Sequence, residues 1–191
     1  MVAKAAVTVL IGLLAMTNGL AGQQAAPGAT PLAVGAPAPD FTLGGANQAG
    51  VLAEPVRLSA LKGQTVVLAF FPRARTRGCT AQMEAYREQY ATLFNGGNGV
   101  RVFAVSVDPD TMLASWAQER QYPISFLSDV GGAVSRAYGV LLTRGEMMYS
   151  HRTLYVIDPN GVIASVISPF RETDPTAYTE LAAAVKTARG R

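Results

Sequence analysis

Only one cysteine, Cys79, and one histidine, His151, occur in the 191 residues. A lone cysteine cannot form a disulfide within its own chain, and one cysteine with one histidine cannot furnish a closed Cys/His zinc site. Any thiol chemistry must therefore run through Cys79 singly. Charge is also scarce: charged residues make up 15%, lysines number 3 against 13 arginines, and the formal net charge is +3. No basic run is interleaved with aromatics, so the mild cationic bias provides no nucleic-acid surface. Repeated acidic ligands are missing from Asp158-Pro159-Asn160-Gly161, which reads as a turn and not a calcium loop. No cofactor or metal is expected, and no internal repeat is visible.

What is present is apolar. Hydrophobic residues make up 49% of the chain, enough for one ordinary core and too little for two, so one domain is expected. The N-terminus reads as an address: Lys4 gives a positive start, Ala5 to Met16 is uncharged and mostly apolar, and Gly19-Leu20-Ala21 has the small-x-small pattern of a signal-peptidase site. That run is shorter than the ~20 residues needed to span a bilayer. The expected division is a signal peptide over 1–21, a flexible linker over 22–34 and the domain over 35–191, with export to the periplasm or medium. A retained anchor and an organelle transit peptide are the alternatives.

Within the domain, Thr65 to Phe71 and Val100 to Val107 are continuous apolar runs of strand length, suited to central strands covered on both faces. Leu154 to Ile157 and Val162 to Ile167 flank the Pro-Asn-Gly turn and predict a hairpin. Met83, Tyr86, Tyr90 and Leu93 recur at helical spacing after Cys79, with Gln82, Glu84, Arg87 and Glu88 assigned to the opposite side, and the helix is expected to end near Asn95-Gly96-Gly97. Further helices are predicted from Asp110 to before Pro123, over Gly132 to Tyr138, and from Asp174 as cap with Pro175 at the first position to near Gly190. The order predicts an α/β sandwich with a mixed sheet. Trp116 and the Tyr86–Tyr90 pair fit packing positions.

The informative stretch runs from Phe70 to Arg87, where an apolar strand stops at Pro72 and a loop delivers Cys79 to a helix start. Unpaired N–H groups at a helix N-terminus favour an anion, so a cysteine placed there gives up its proton more readily. Arg73, Arg75, Arg77 and Arg87 add positive charge nearby in sequence. Cys79 shares the inward face with Met83 and Tyr86, so its sulfur should lie at the bottom of a pocket. Taken alone, Thr76 reads as a helix cap, Arg152 as a surface cation beside a strand, and His151 as a polar residue without a role.

Pro72-Arg-Ala-Arg-Thr76-Arg-Gly-Cys79 resembles the P-x-x-x-T-x-x-C signature of peroxiredoxins. Three further stretches resemble the bacterioferritin-comigratory branch of the alkyl hydroperoxide reductase/thiol-specific antioxidant family, in the same order: Gly35 to Leu43, Leu58 to Gly63, and Asp129 to Val140 with His151 to Gly161. The resemblance implies a thioredoxin-like fold, with a central mixed sheet flanked by helices, and a thiol-dependent peroxidase acting on hydrogen peroxide or small organic hydroperoxides. It implies that Cys79 is the nucleophile that becomes a sulfenic acid, that Pro72 shields it, that Thr76 hydrogen-bonds the peroxide, and that Arg152 reaches in from the later strand. An external thiol, such as thioredoxin, glutaredoxin or glutathione, would regenerate the cysteine. A homodimer is compatible with the sequence.

Two positions depart from the pattern: Glu84 stands where many relatives carry a resolving cysteine, and Arg77 stands where proline is usual. The alternatives are an exported thiol-disulfide oxidoreductase, disfavoured because Thr76 occupies the first position of its C-x-x-C pair, and a non-enzymatic redox-sensing or binding module.

Overall fold

The computed structural model describes Met1 and residues 30–190. The expected signal peptide beyond Met1 and most of the expected linker lie outside the described residues. In chain order the elements are β1 (Thr42–Leu43), β2 (Gly45–Asn47), β3 (Gly50–Val51), β4 (Val56–Arg57), β5 (Thr65–Phe70), α1 (Arg77–Glu88), α2 (Tyr90–Phe94), β6 (Val100–Ser106) and α3 (Asp110–Arg120). There follow β7 (Ser125–Ser128), α4 (Ala133–Ala137), β8 (Leu141–Arg144), β9 (Met147–Ser150), β10 (Thr153–Ile157), β11 (Ile163–Ile167) and α5 (Pro175–Arg189).

A seven-stranded sheet in the order β11-β10-β5-β6-β7-β2-β3 organises the domain. The central pairs β5–β6 and β6–β7 are parallel, while β10 runs antiparallel to both β5 and β11. Every residue of β5 is buried, and the alternation of the strand divides them between two cores. Val67 and Ala69 face a layer built from Met83 and Tyr86 of α1, Phe94 of α2, Trp116 of α3 and Leu181 of α5. Val66, Leu68 and Phe70 face Phe41, Leu58, Val134, Tyr138 and Tyr155. The mixed sheet between helices is the thioredoxin-like arrangement that the resemblance implies. No helix among the described residues is long and apolar enough to cross a membrane.

The long central strands, the hairpin of β10 and β11, and α5 with Asp174 as cap lie where the periodicity placed them. Other elements differ. The predicted helix after Cys79 is two: Gln89, at φ −110° and ψ 20°, interrupts it, and Asn95 closes α2 in the left-handed conformation, which asparagine tolerates. Strands β2 and β7 are short and carry no apolar run. Their pairing depends on Gly45, where a Cβ would stand 2.1 Å from the Phe126 carbonyl oxygen. The hairpin of β8 and β9 turns on Gly145 (φ 59°) and stands apart from the main sheet. Residues 30–34, the end of the expected linker, lie against the domain: Leu32 donates its N–H to the Tyr155 hydroxyl at 3.0 Å, and Gly35 donates to Ile163.

Candidate active site

The chain leaves β5 at Phe70, crosses 71–76 and enters α1 with Thr76 at the cap position. That connection is pinned from below. The Ala74 N–H donates to Asp108 Oδ2 at 2.7 Å, and the same buried oxygen accepts from Ser106 Oγ at 3.0 Å. Arg75 takes φ 63°, a costly conformation for a residue with a Cβ. Its guanidinium reaches Glu119 Oε2 at 2.5 Å and Ser115 Oγ at 3.1 Å on α3, and hydrogen bonding from Arg75 holds the Glu119 carboxyl below the usual range.

Cys79 is the third residue of α1 and is fully buried, within the core that contains Met83 and Tyr86. In the preceding connection Pro72 is half-buried and Thr76 is exposed. Arg152 comes from a bend just ahead of β10, not from the strand itself. Its three nitrogens have three partners: Nη2 lies 3.5 Å from Cys79 Sγ, Nη1 donates to Gln82 Oε1 at 2.5 Å, and Nε faces Glu172 Oε2 at 3.3 Å. Gln82 donates in turn to the Tyr86 hydroxyl at 2.8 Å. Because a guanidinium has only donors, Arg152 fixes which end of the Gln82 amide it meets. Burial pushes the Tyr86 phenol far up, and burial with the Glu172 charge pushes Tyr178 up to about 12, so both remain protonated near neutrality.

Of the residues implied by the resemblance, the structure brings Cys79 and Arg152 into contact and sets Thr76 at the helix start. The Thr76 side chain does not cap the helix. Its hydroxyl donates backwards to the Arg73 carbonyl at 3.1 Å, which leaves its oxygen lone pairs as acceptors. Pro72 lines a hollow of about 240 Å³ with Arg73, Arg144, Met147 and Tyr149, beside the β8–β9 hairpin. Two of the nearby arginines have partners on or next to α3. Arg75 is turned to α3, and Arg87 donates to the Arg120 carbonyl at 2.7 Å. Glu84, which departs from the family pattern, is bridged to Arg120 at 3.0 Å. His151 Nδ1 lies 3.1 Å from Thr153 Oγ1, consistent with a polar residue outside the site.

Two neighbours of Arg152 escaped the sequence reading. Gln82 was assigned to the solvent side of the helix, yet it is fully buried. Its place three residues after Cys79 was the available signal, since positions i and i+3 share a helix face. Glu172 lies in an aperiodic segment before α5, where no local pattern points to it.

Residues 34–166 match the AhpC/TSA family. Chloroplastic peroxiredoxin Q of Sedum lineare is 35% identical over 132 residues, 69% of this chain and 67% of that protein. Alkyl hydroperoxide reductase E of Mycobacterium tuberculosis is 33% identical over 159 residues, covering 81% and 98% respectively. The crystal structure of peroxidoxin BcpB from Mycobacterium tuberculosis superposes with a TM-score of 0.69 at 28% identity, over 82% of this chain and 97% of that one. With the fold, the order of motifs and the cysteine at a helix start all in place, the chain belongs to the AhpC/TSA family and is a peroxiredoxin, a thiol-dependent peroxidase carrying a single cysteine.

Proposed function

We propose that Cys79 is the peroxide-reactive nucleophile, with Thr76 and Arg152 orienting the peroxide and Pro72 keeping bulk water from the sulfur. One observation carries this reading: Arg152, 73 residues away in sequence, presents Nη2 at 3.5 Å from the Cys79 sulfur. The Arg152 guanidinium faces the sulfur, where negative charge is redistributed during the reaction. The thiolate attacks one peroxide oxygen, an S–O bond forms as the O–O bond breaks, and the departing oxygen leaves with the electron pair and takes up a proton. Donors fixed where that charge develops lower the barrier directly. The free lone pairs of Thr76 Oγ1 suit acceptance from the peroxide O–H, and Arg152 suits the leaving oxygen.

The product is a sulfenic acid on Cys79. With no second cysteine in the chain, the reductant must supply both thiols: the first forms a mixed disulfide and releases water, the second frees Cys79. Because the sulfur is fully buried in this conformation, a protein thiol can reach it only when the 72–80 segment moves aside. Hydrogen peroxide and small alkyl hydroperoxides are the substrates of this reading. Export, with cleavage after Ala21, is part of the same proposal and is supported by the N-terminal pattern alone.

The test is peroxide consumption with dimedone trapping. Wild-type protein should consume peroxide and yield a dimedone adduct on Cys79, and Cys79→Ser should do neither. Peroxide turnover that survives Cys79→Ser would falsify the assignment.

A further inference from the structure

We propose that Glu172 is the positioning residue that aims Arg152 at the cysteine, and that position 78 is glycine in order to admit its carboxylate. The inference rests on the assignment of Cys79 as nucleophile and goes beyond it.

Three observations converge. First, the Arg152–Glu172 pair is withdrawn from solvent, with side-chain exposures of 13% and 24%, whereas the other ion pairs of the described residues have at least one partner that is 43% exposed or more. A partly buried guanidinium that lost its carboxylate would be drawn towards water. Second, Glu172 is held by its backbone. Its carbonyl accepts from the Tyr178 hydroxyl at 2.8 Å, and the same segment returns to Arg152 through Phe170 N–H to the Arg152 carbonyl at 2.9 Å. Phe170 is buried against Tyr86 and Tyr178. The carboxylate is thus presented from a fixed frame.

Third, Gly78 lies in the first turn of α1 without a left-handed φ. Nothing in its backbone calls for glycine, which is disfavoured in helices relative to alanine. What occupies the space of the missing Cβ is Glu172 Oε1 at 2.3 Å, with Arg152 Nη2 next at 3.1 Å. An alanine there would push the carboxylate off Arg152. Once Nε is released, the guanidinium keeps only Gln82 to set its direction, and its alignment on the sulfur loosens.

The charged or titratable groups facing Glu172 are Arg152 ahead of β10, Cys79 on α1 behind the guanidinium, and Tyr178 on α5, while Arg171 is turned to Asp174. Replacing the Glu172 carboxylate by an amide of the same length keeps an oxygen acceptor for Arg152 Nε and should preserve alignment.

The experiment is a double-mutant cycle read by stopped-flow peroxide reaction, with thermal unfolding and circular dichroism confirming the fold of each protein. Glu172→Ala and Gly78→Ala should each lower the second-order rate constant by about tenfold or more. The double variant should fall no more than about twofold below the slower single one, because both act through the same contact. Glu172→Gln should keep a rate within about threefold of wild type, because its amide oxygen still accepts from Arg152 Nε. A Glu172→Ala rate within about twofold of wild type overturns the proposal, as do losses that multiply in the double variant. A Gly78→Ala protein at wild-type rate overturns the role given to the glycine. Failure of wild type itself to react with peroxide would instead defeat the assignment of Cys79, so the two failures are distinguishable.

Discussion

Gln82 joins partly buried Arg152 to buried Tyr86: its oxygen accepts from Arg152 and its nitrogen donates to Tyr86. Replacing it by methionine keeps the volume and removes both bonds. Unmet buried donors and acceptors cost about 1–3 kcal/mol, so denaturant unfolding of Gln82→Met should show a loss in that range. A loss below about 0.5 kcal/mol would place the amide outside the network. Cys79 and Thr76 stand out in the sequence through the P-x-x-x-T-x-x-C spacing, and Arg152 through the later stretch that resembles the family. Gln82 and Glu172 do not. A glutamine in an amphipathic pattern is assigned to solvent unless its partner is known, and that partner enters from 70 residues away. Glu172 meets Arg152 only after the chain has crossed the hairpin of β10 and β11 and returned.

Among the elements, α5 shows how much a sequence signal can fix. Asp174 and Pro175 predicted its start, and Asp174 Oδ1 accepts from the Thr176 N–H at 2.9 Å and from the Thr176 hydroxyl at 2.7 Å. The Thr176 and Arg171 hydrogen bonds hold the Asp174 carboxyl down to about 2, against an ordinary 3.8. A carboxyl depressed in the folded state stabilises the fold above its ordinary value and loses that contribution as pH falls towards its folded value. Asp174→Ala should therefore melt earlier than wild type near neutrality, and the two midpoints should converge as pH drops from about 4 to about 2. A gap that stays constant across that window would assign the cap another origin. The elements missed by the sequence, β2, β7 and the β8–β9 hairpin, are short and lack an apolar run of their own. Their existence depends on what they pair with: β2 follows β7 through the clearance at Gly45, and such tertiary fit leaves no local periodicity to detect.

At the level of the molecule, one central strand divides its residues between two cores, and the same strand ends at the loop that delivers Cys79. Stability and site geometry are therefore coupled through β5 and the loop anchored by Asp108. Under the proposed export the enzyme would meet an oxidising surrounding, where its one cysteine could not close an internal disulfide and would depend on a delivered thiol. N-terminal sequencing of protein recovered outside the cytoplasm should begin at Gly22, and a chain that still begins at Met1 would contradict cleavage.

The most direct measurement of the central claim is the second-order rate of peroxide reaction in Arg152→Met beside wild type, with the unfolding midpoint of each confirming an intact fold. Removing one donor aimed at developing negative charge should lower the rate on the order of 10²-fold or more. A folded Arg152→Met protein reacting as fast as wild type would contradict the account.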